Sequence, residues 1–309
     1  ACLLAGLALV MPVRAEPIRW VDFDVSTESM AYAMQQDIRT AEQEKHLSWI
    51  EILALAACRT GGKCPLSAVK KAAKDLEGDV SPEEAAGELG KYYAYYYEAY
   101  SAALGGLVGS YAIFKDGQWI PQYGLKAFSP IAAGYGYSHC DDFGVGRSFG
   151  FKRKHLGNDL MGGLGTPIVA VEGGIVEAMG WNRYGGWRVG IRSFDGKRYY
   201  YYAHLQKDRP FAPGLEIGDQ VDAGQLIGFM GRSGYSDKEN VNNIEVVHLH
   251  FGLELVFDEG QKECNSEIWI DVYRLVRLLS AHRSSYQKTD RGWERVYPYK
   301  DLDWTEFPA

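Results

Sequence analysis

Four histidines and one aspartate in the second half of the chain are of the types that bind and assist a catalytic metal. His155 and Asp159 form a His-x-x-x-Asp segment, His204 stands alone, and His248 and His250 flank one leucine. A catalytic zinc needs three protein ligands and an open fourth position for water. Because no Cys pair lies near these residues, the set favours a hydrolytic zinc site.

The His248-Leu-His250 spacing indicates how two of these side chains are oriented. Both lie in the apolar stretch from Val246 to Leu255, which is typical of a strand. Residues two apart on a strand point to the same face, so one imidazole can bind metal while the other stands beside the bound water. Taken alone, His155 or His204 would more often be an ordinary hydrogen-bonded histidine, and only the ordered set favours a metal site.

Several short motifs lie at and between these residues, in a fixed order. They are Gly165-Thr-Pro-Ile-Val-Ala170, Glu172-Gly-Gly-Ile-Val176, Tyr202-Ala-His-Leu205, the segment from Gly218 to Gly228, and His248-Leu-His-Phe251. With these motifs, the chain from about Lys152 to Leu255 resembles the lysostaphin-type zinc metallopeptidases, which include the beta-lytic enzymes. These enzymes cut peptide bonds in bacterial peptidoglycan.

The resemblance implies a role for each residue of the set. His155, Asp159 and His250 would be the ligands of one zinc ion per chain, and His204 and His248 would flank the metal-bound water as catalytic residues. Zinc lowers the pKa of bound water from 15.7 to about 7 and polarises the scissile carbonyl. A neutral histidine can take the water's proton, and a protonated one can stabilise the tetrahedral intermediate or protonate the leaving amine. Which of the two does which stays open.

The sequence patterns predict a fold class, and the resemblance adds the type of β domain and the function. The fold class is α+β: a helical N-terminal region, a mostly antiparallel β domain of the duplicated hybrid motif type with a zinc groove, and a C-terminal helix. The expected function is an exported metalloendopeptidase that hydrolyses stem or cross-bridge peptides. The alternative is a wall-associated regulatory or binding scaffold whose intact metal site is kept closed.

One segment departs from the family pattern. Gly231-Arg-Ser-Gly234 is followed by residues 235–247, a longer stretch than the family places before its His-x-His pair. Its polar, turn-rich composition predicts a loop beside the ligand strand, where it should form one wall of the groove. A role in substrate choice and a passive surface insertion both remain open.

Alternating and apolar runs predict the elements that position the site. The expected strands are separated by turns with glycine, among which Asp195-Gly196 predicts a hairpin. These strands are Ile168–Ala178, Trp187–Arg192, Arg198–Ala203, Leu226–Met230 and Val246–Leu255. The metallopeptidase domain is therefore expected at 152–258.

The region 20–112 is helical by pattern. Met30, Met34 and Ile38 recur at helical spacing, as do apolar residues from Trp49 to Ala57. Ser81-Pro82-Glu83-Glu84 predicts a capping-box helix start, and a further helix begins near Gly90. That helix carries a stripe of tyrosines, which predicts a packing surface more than a sugar platform.

The regions that flank the metallopeptidase domain are less regular. Residues 113–151 are a connecting segment that brings His139, Asp141 and Asp142 close to His155, either as a strap across the groove or as a docking linker. Residues 259–309 should form a C-terminal helix, at Ile268–Leu279, and a tail. His46 and His282 are expected to be solvated.

Composition limits the partners and the location of the protein. Its 309 residues, 46% hydrophobic and 24% charged, suit two globular parts, and the net charge of −7 argues against nucleic acid as a partner. Peptidoglycan peptides remain compatible with this net charge as partners. The apolar residues 1–15 predict a signal peptide remnant or a membrane anchor, and hence a secreted or cell-envelope protein with membrane or wall association.

The cysteines give a weaker indication. Export would permit disulfides, and Cys58 and Cys64 could close a short loop. The four cysteines at 58, 64, 140 and 264 allow three pairings, and the sequence does not choose among them. Their spacings are not those of a zinc knuckle.

Overall fold

Helices form the first part of the structure, a computed structural model that describes residues 17–149, 151–262 and 266–303. The helices are α1 (Thr27–Thr40), α2 (Trp49–Thr60), α3 (Leu66–Leu76), α4 (Pro82–Ala86), α5 (Gly90–Leu104) and, near the C-terminus, α6 (Tyr273–Leu279). Short 3₁₀ turns lie at Gly87–Leu89 and Glu259–Gln261. The helical N-terminal region is therefore confirmed.

Local sequence signals explain most helix boundaries. Ser81 accepts from the backbone of Glu84, and the Glu84 carboxylate accepts from the backbone of Ser81, so the predicted capping box is present. Helix α2 ends at Gly61, whose φ of 64° is left-handed and favours glycine. Helix α3 was not predicted, although its buried residues Val69, Ala72, Ala73 and Leu76 recur at helical spacing.

The tyrosine stripe of α5 divides between core and surface. Tyr93 and Tyr100 are buried, and Tyr100 makes an edge contact with Phe23 at a ring separation of 5.7 Å. Tyr92 and Tyr97 are exposed. The packing interpretation therefore holds for the buried pair, and it does not describe the two exposed rings.

Antiparallel strands form most of the remaining chain. In order they are β1 (Val108–Lys115), β2 (Gln118–Leu125), β3 (Tyr137–His139), β4 (Gly146–Phe149), β5 (Phe151–Lys154), β6 (Asn158–Gly162), β7 (Pro167–Val169), β8 (Gly174–Asn182), β9 (Gly186–Ser193), β10 (Arg198–Ala203), β11 (Gln220–Val221), β12 (Leu226–Phe229), β13 (His248–Leu255), β14 (Ile268–Ile270), β15 (Tyr286–Thr289), β16 (Gly292–Arg295) and β17 (Tyr299–Asp301). Eight of them form one sheet in the order β11-β8-β9-β10-β13-β6-β3, with β14 also paired to β13.

The predicted strands are found with two changes. The expected strand Ile168–Ala178 is two strands, because β7 pairs with β12 while β8 enters the main sheet. The division falls at the adjacent glycines 173 and 174, and a Cβ at Gly174 would lie 2.1 Å from the carbonyl oxygen of Arg192. The expected strand at Val246 begins instead at His248.

The C-terminal region also differs in part from expectation. The predicted helix Ile268–Leu279 is helical only as α6, since Ile268–Ile270 forms β14 on the edge of β13. Strand β17 returns to pair with β1, which in turn pairs with β2. The β1–β2 hairpin crosses residue 112, where the sequence suggested that the helical region ends.

One possibility that the sequence left open is resolved, and one expectation is corrected. Cys58 and Cys64 are buried free thiols, and Cys140 is also free, so the short disulfide loop does not form; Cys264 lies outside the described residues. The expectation of a membrane anchor is contradicted. Across the described ranges, no helix has both the length and the apolar character needed to cross a membrane, and the apolar segment 1–15 lies outside those ranges.

A buried arginine joins the helical part to the main sheet. Arg198 on β10 has 0% exposure and donates to Glu172 at 2.7 Å and to Asp195 at 2.7 Å. It also donates to the carbonyl oxygen of Ala102 in α5 at 2.7 Å, and Tyr200 donates to Glu172 at 2.6 Å. The guanidinium thus satisfies two carboxylates and the C-terminal end of a helix together.

We expect Arg198→Met to lower the free energy of unfolding by about 3–5 kcal/mol, because Glu172 would be left buried without its counter-charge. Urea unfolding followed by circular dichroism measures this loss. Arg39→Met is the control, since Arg39 pairs with Glu77 on the surface at 51% and 56% exposure and should contribute less than about 1 kcal/mol. Equal effects of the two substitutions would contradict the expectation.

Candidate metal centre

Three of the predicted residues converge from two paired strands and the turn before them. Asp159 lies on β6 directly opposite His250 on β13, and His155 follows β5. His248 and His250 share one face of β13, whereas Leu249 between them is fully buried. The strand alternation expected from the sequence therefore places His248 and His250 on one side, and the pairing of β6 with β13 brings Asp159 opposite His250.

The donor atoms of His155, Asp159 and His250 form a small triangle. His155 Nε2 lies 2.8 Å from His250 Nδ1 and 3.1 Å from Asp159 Oδ1, and His250 Nδ1 lies 3.3 Å from that same oxygen. Ligands about 2.0–2.2 Å from a tetrahedral zinc stand roughly 3.3 Å apart. The triangle therefore fits three ligands of a single ion, and two imidazoles with one carboxylate are a donor set that zinc accepts.

Hydrogen bonding around the triangle leaves lone pairs facing each other. His155 Nδ1 lies 3.1 Å from the carbonyl oxygen of Asp142, which only accepts, so a neutral His155 carries its proton on Nδ1. Its Nε2 then presents a lone pair to the Asp159 carboxylate. Two acceptors at this separation need a cation or a proton between them, which is the arrangement of a metal-binding site.

Burial and charge act in opposite directions on the Asp159 carboxyl. Burial favours its neutral form, but the imidazoles of His155 and His250 beside it outweigh burial and hold the pKa of the carboxyl well below its usual range. Burial also lowers the pKa of His250. Asp159 is thus a carboxylate and His250 a neutral imidazole near pH 7, which are the forms that bind metal.

His204 and His248 stand beside the triangle. Each Nδ1 lies 2.9 Å from a backbone carbonyl oxygen, that of Ser233 for His204 and that of Val246 for His248. The rings are 4.7 Å apart between centroids, and both line the groove. Because a neutral ring at either position would carry its proton on Nδ1, Nε2 is the nitrogen that can accept another proton.

His204 is held in an uncommon conformation. Its φ of 62° is left-handed, and its backbone N–H donates to the carbonyl oxygen of Gly185 at 2.7 Å. Burial and the charge of the neighbouring imidazoles lower the pKa of His204 well below its usual value. A buried, neutral imidazole in a strained backbone position is an arrangement common at functional sites.

Arg147 contacts the candidate metal site and was not predicted from the sequence. Arg147 on β4 donates to Asp142 at 2.6 Å and to Asp159 at 3.3 Å. Asp142 in turn accepts from the backbone of Asp159 at 3.2 Å. The connecting segment therefore contacts the site through Asp142. The signal in the sequence that could have indicated Arg147 is its position in the chain, between Asp142 and His155.

The other histidines lie away from the site. His139 packs on Tyr273 at a ring separation of 4.5 Å, and burial lowers its pKa to about 4. The prediction that His282 is solvated is wrong, because Nδ1 lies 2.6 Å from the carbonyl oxygen of Ala127 and the ring stacks on Phe128. His46 is partly exposed and is paired with Asp37 at 2.8 Å.

A groove of about 160 Å³ leads to the triangle. Besides the site residues, its walls include three cations and three tyrosines: Arg147, Arg153, Lys154, Tyr184, Tyr201 and Tyr235. Tyr235 comes from the inserted segment 235–247, which has no helix or extended strand, and this agrees with the predicted loop beside the groove. Asn240 holds the insertion in place, because its Oδ1 accepts a hydrogen bond from Trp187 Nε1 at 2.9 Å.

Comparison with known sequences gives a consistent assignment. Residues 153–263 match a family model described as Peptidase family M23. The chain is 38% identical over 165 residues to the L-Ala--D-Glu endopeptidase of Bacillus subtilis, which covers 53% of this chain and 46% of the relative. It is 33% identical over 135 residues to lysostaphin of Staphylococcus simulans, which covers 43% of this chain and 22% of that protein. The matches span less than half the length of these relatives.

Comparison with solved structures extends beyond the matched region. A crystal structure from Ruminococcus gnavus, provisionally described as a glycyl-glycine endopeptidase LytM, is similar over 88% of this chain and 94% of that one. The TM-score is 0.56 at 25% sequence identity. The likeness therefore includes the helical region as well as the antiparallel domain.

Proposed function

We propose that this chain, whose residues 153–263 match the model of peptidase family M23, is a zinc metalloendopeptidase that hydrolyses peptide bonds of bacterial peptidoglycan. The observation that carries the proposal is the triangle of His155 Nε2, Asp159 Oδ1 and His250 Nδ1, with edges of 2.8–3.3 Å. The substrate would be a stem or cross-bridge peptide, and action on it requires export of the protein.

Each residue of the site has a role in this proposal. His155, Asp159 and His250 would hold one zinc ion, which when bound supplies a Lewis acid that polarises the scissile carbonyl and activates water. His204 and His248 lie outside the ligand set and present Nε2 to the groove. One of them would accept the proton of the attacking water and the other would stabilise the developing charge, after which a proton passes to the leaving amine.

Asp142 and Arg147 would position the ligands. The Asp142 carbonyl oxygen fixes the tautomer of His155, and Arg147 binds the Asp159 oxygen that does not face the triangle. Such outer partners orient metal ligands and typically alter metal affinity by about 10- to 100-fold when removed. They would not take part in proton transfer.

The test is digestion of intact cell walls. The zinc-loaded protein, incubated with purified peptidoglycan of several wall types, should release fragments with new amino termini, identified by mass spectrometry. The His204→Ala protein is the matched control for contaminating hydrolases. A protein that binds zinc but releases no fragment from any wall type would contradict the proposal and favour the scaffold alternative.

A further inference from the structure

Two arginines on the hairpin next to the metal centre face each other. Arg147 on β4 is directly opposite Arg153 on β5, and both line the groove. Like charges directly across a strand pair destabilise a sheet. The positive charge of Arg147 is balanced by the carboxylates of Asp142 and Asp159. The positive charge of Arg153 is not balanced in this way and needs another explanation.

Arg153 is held by aromatic rings and has no carboxylate partner among the residues that the structure describes. Its guanidinium carbon lies 4.9 Å from the centre of the Tyr184 ring and 5.2 Å from that of Tyr235, and Nη2 donates to the Tyr235 hydroxyl at 2.8 Å. Its Nη1 is buried and has no hydrogen-bond partner within the described part of the chain. Stacking against the two tyrosine rings fixes the plane of the guanidinium, while one of its N–H donors makes no hydrogen bond with a described residue.

The charge of the groove is opposite to that of the protein. Arg147, Arg153 and Lys154 line it against the single carboxylate of Asp159, although the whole chain has a net charge of −7. Neither Arg153 nor Lys154 forms an ion pair with any described residue, and Lys154 is exposed. An excess of cations concentrated in a cleft attracts an anionic group of a ligand.

We propose that Arg153, with Lys154 beside it, binds a free carboxylate of the substrate peptide close to the bond that is cut. A carboxylate is the planar acceptor that matches the guanidinium of Arg153, which lines the groove together with Lys154. The groove would therefore prefer acidic stem peptides, such as those with γ-linked glutamate, over uncharged glycine bridges. This inference rests on the proposed function, because it specifies the substrate of the same groove.

The test uses two synthetic stem peptides that differ only at one group. One contains γ-linked D-glutamate with a free α-carboxylate, and the other contains the corresponding α-amide. We expect kcat/KM for the acid to exceed that for the amide by about 10- to 100-fold, the range of a charge-assisted hydrogen bond, mainly through KM. In Arg153→Gln the ratio should fall to about one, and Arg153→Lys should give an intermediate ratio.

A matched control separates recognition from general charge effects. Arg209 is exposed and also stacks on an aromatic ring, with its guanidinium 4.7 Å from the centre of Phe229, but it does not line the groove. Arg209→Gln should keep the full preference for the acid. Zinc content and melting temperature equal to those of the wild type verify that each variant is folded.

Binding measurements make the inference independent of turnover. Calorimetric titration of zinc-loaded wild type and Arg153→Gln with both peptides should show tighter binding of the acid only in the wild type. If no wall or peptide is cleaved but this difference is found, the inference stands and the proposed function fails. If peptides are cleaved but acid and amide are equivalent, or Arg153→Gln keeps the preference, the inference is overturned and the proposed function stands.

Discussion

His250→Ala should lose most of its bound zinc and all measurable turnover. The imidazole supplies one corner of the triangle, 2.8 Å from His155 Nε2 and 3.3 Å from Asp159 Oδ1, and alanine leaves only two donors. We expect zinc affinity to fall by more than about 100-fold, beyond the range seen when only an outer partner of a ligand is removed. Elemental analysis after dialysis against a competing chelator measures the loss.

The matched control for this substitution is His46→Ala. His46 is a partly exposed histidine on the helical part of the protein, paired with Asp37 and not among the residues that line the groove. This variant should keep about one zinc per chain. Full zinc occupancy in His250→Ala would show that the ligand set is wrong.

His204→Ala and His248→Ala should each keep near-normal zinc while turnover falls by about 10²- to 10⁴-fold, the range typical of general acid–base groups. The physical reason is that neither ring belongs to the triangle of ligand atoms. Nδ1 of each ring is hydrogen-bonded to a backbone carbonyl oxygen, and His248 Nε2 lies 3.7 Å from Asp159 Oδ1. Zinc analysis together with fragment release from peptidoglycan measures both properties on the same samples.

The two variants also test the division of roles within the His-x-His pair. Loss of zinc in His248→Ala with retention in His250→Ala would reverse the assignment of ligand and acid–base group on β13. Normal turnover in His204→Ala would remove His204 from proton transfer and leave its strained backbone to be explained by packing. His46→Ala again provides the reference for turnover.

The candidate ligand set could be proposed from the sequence because the resemblance to a known family assigns His155, Asp159 and His250, and residue type indicates the chemistry. His248 and His250 share a face because strand side chains alternate, and the capping box at Ser81 forms because its two hydrogen bonds join residues three apart. The α+β class followed from the same local periodicities, with the resemblance to a known family adding the order of motifs.

What lies around the ligands was decided by tertiary structure, because contacts between distant residues leave no local pattern. Arg153 meets Tyr235, which lies 82 residues further along the chain, and this contact helps to hold the guanidinium at the wall of the groove. Ile268 to Ile270 have the apolar spacing of a helix, yet they form a strand because the edge of β13 offers unpaired backbone groups. His282 is sequestered because the chain returns to stack it on Phe128, a contact that its polar sequence neighbours do not encode.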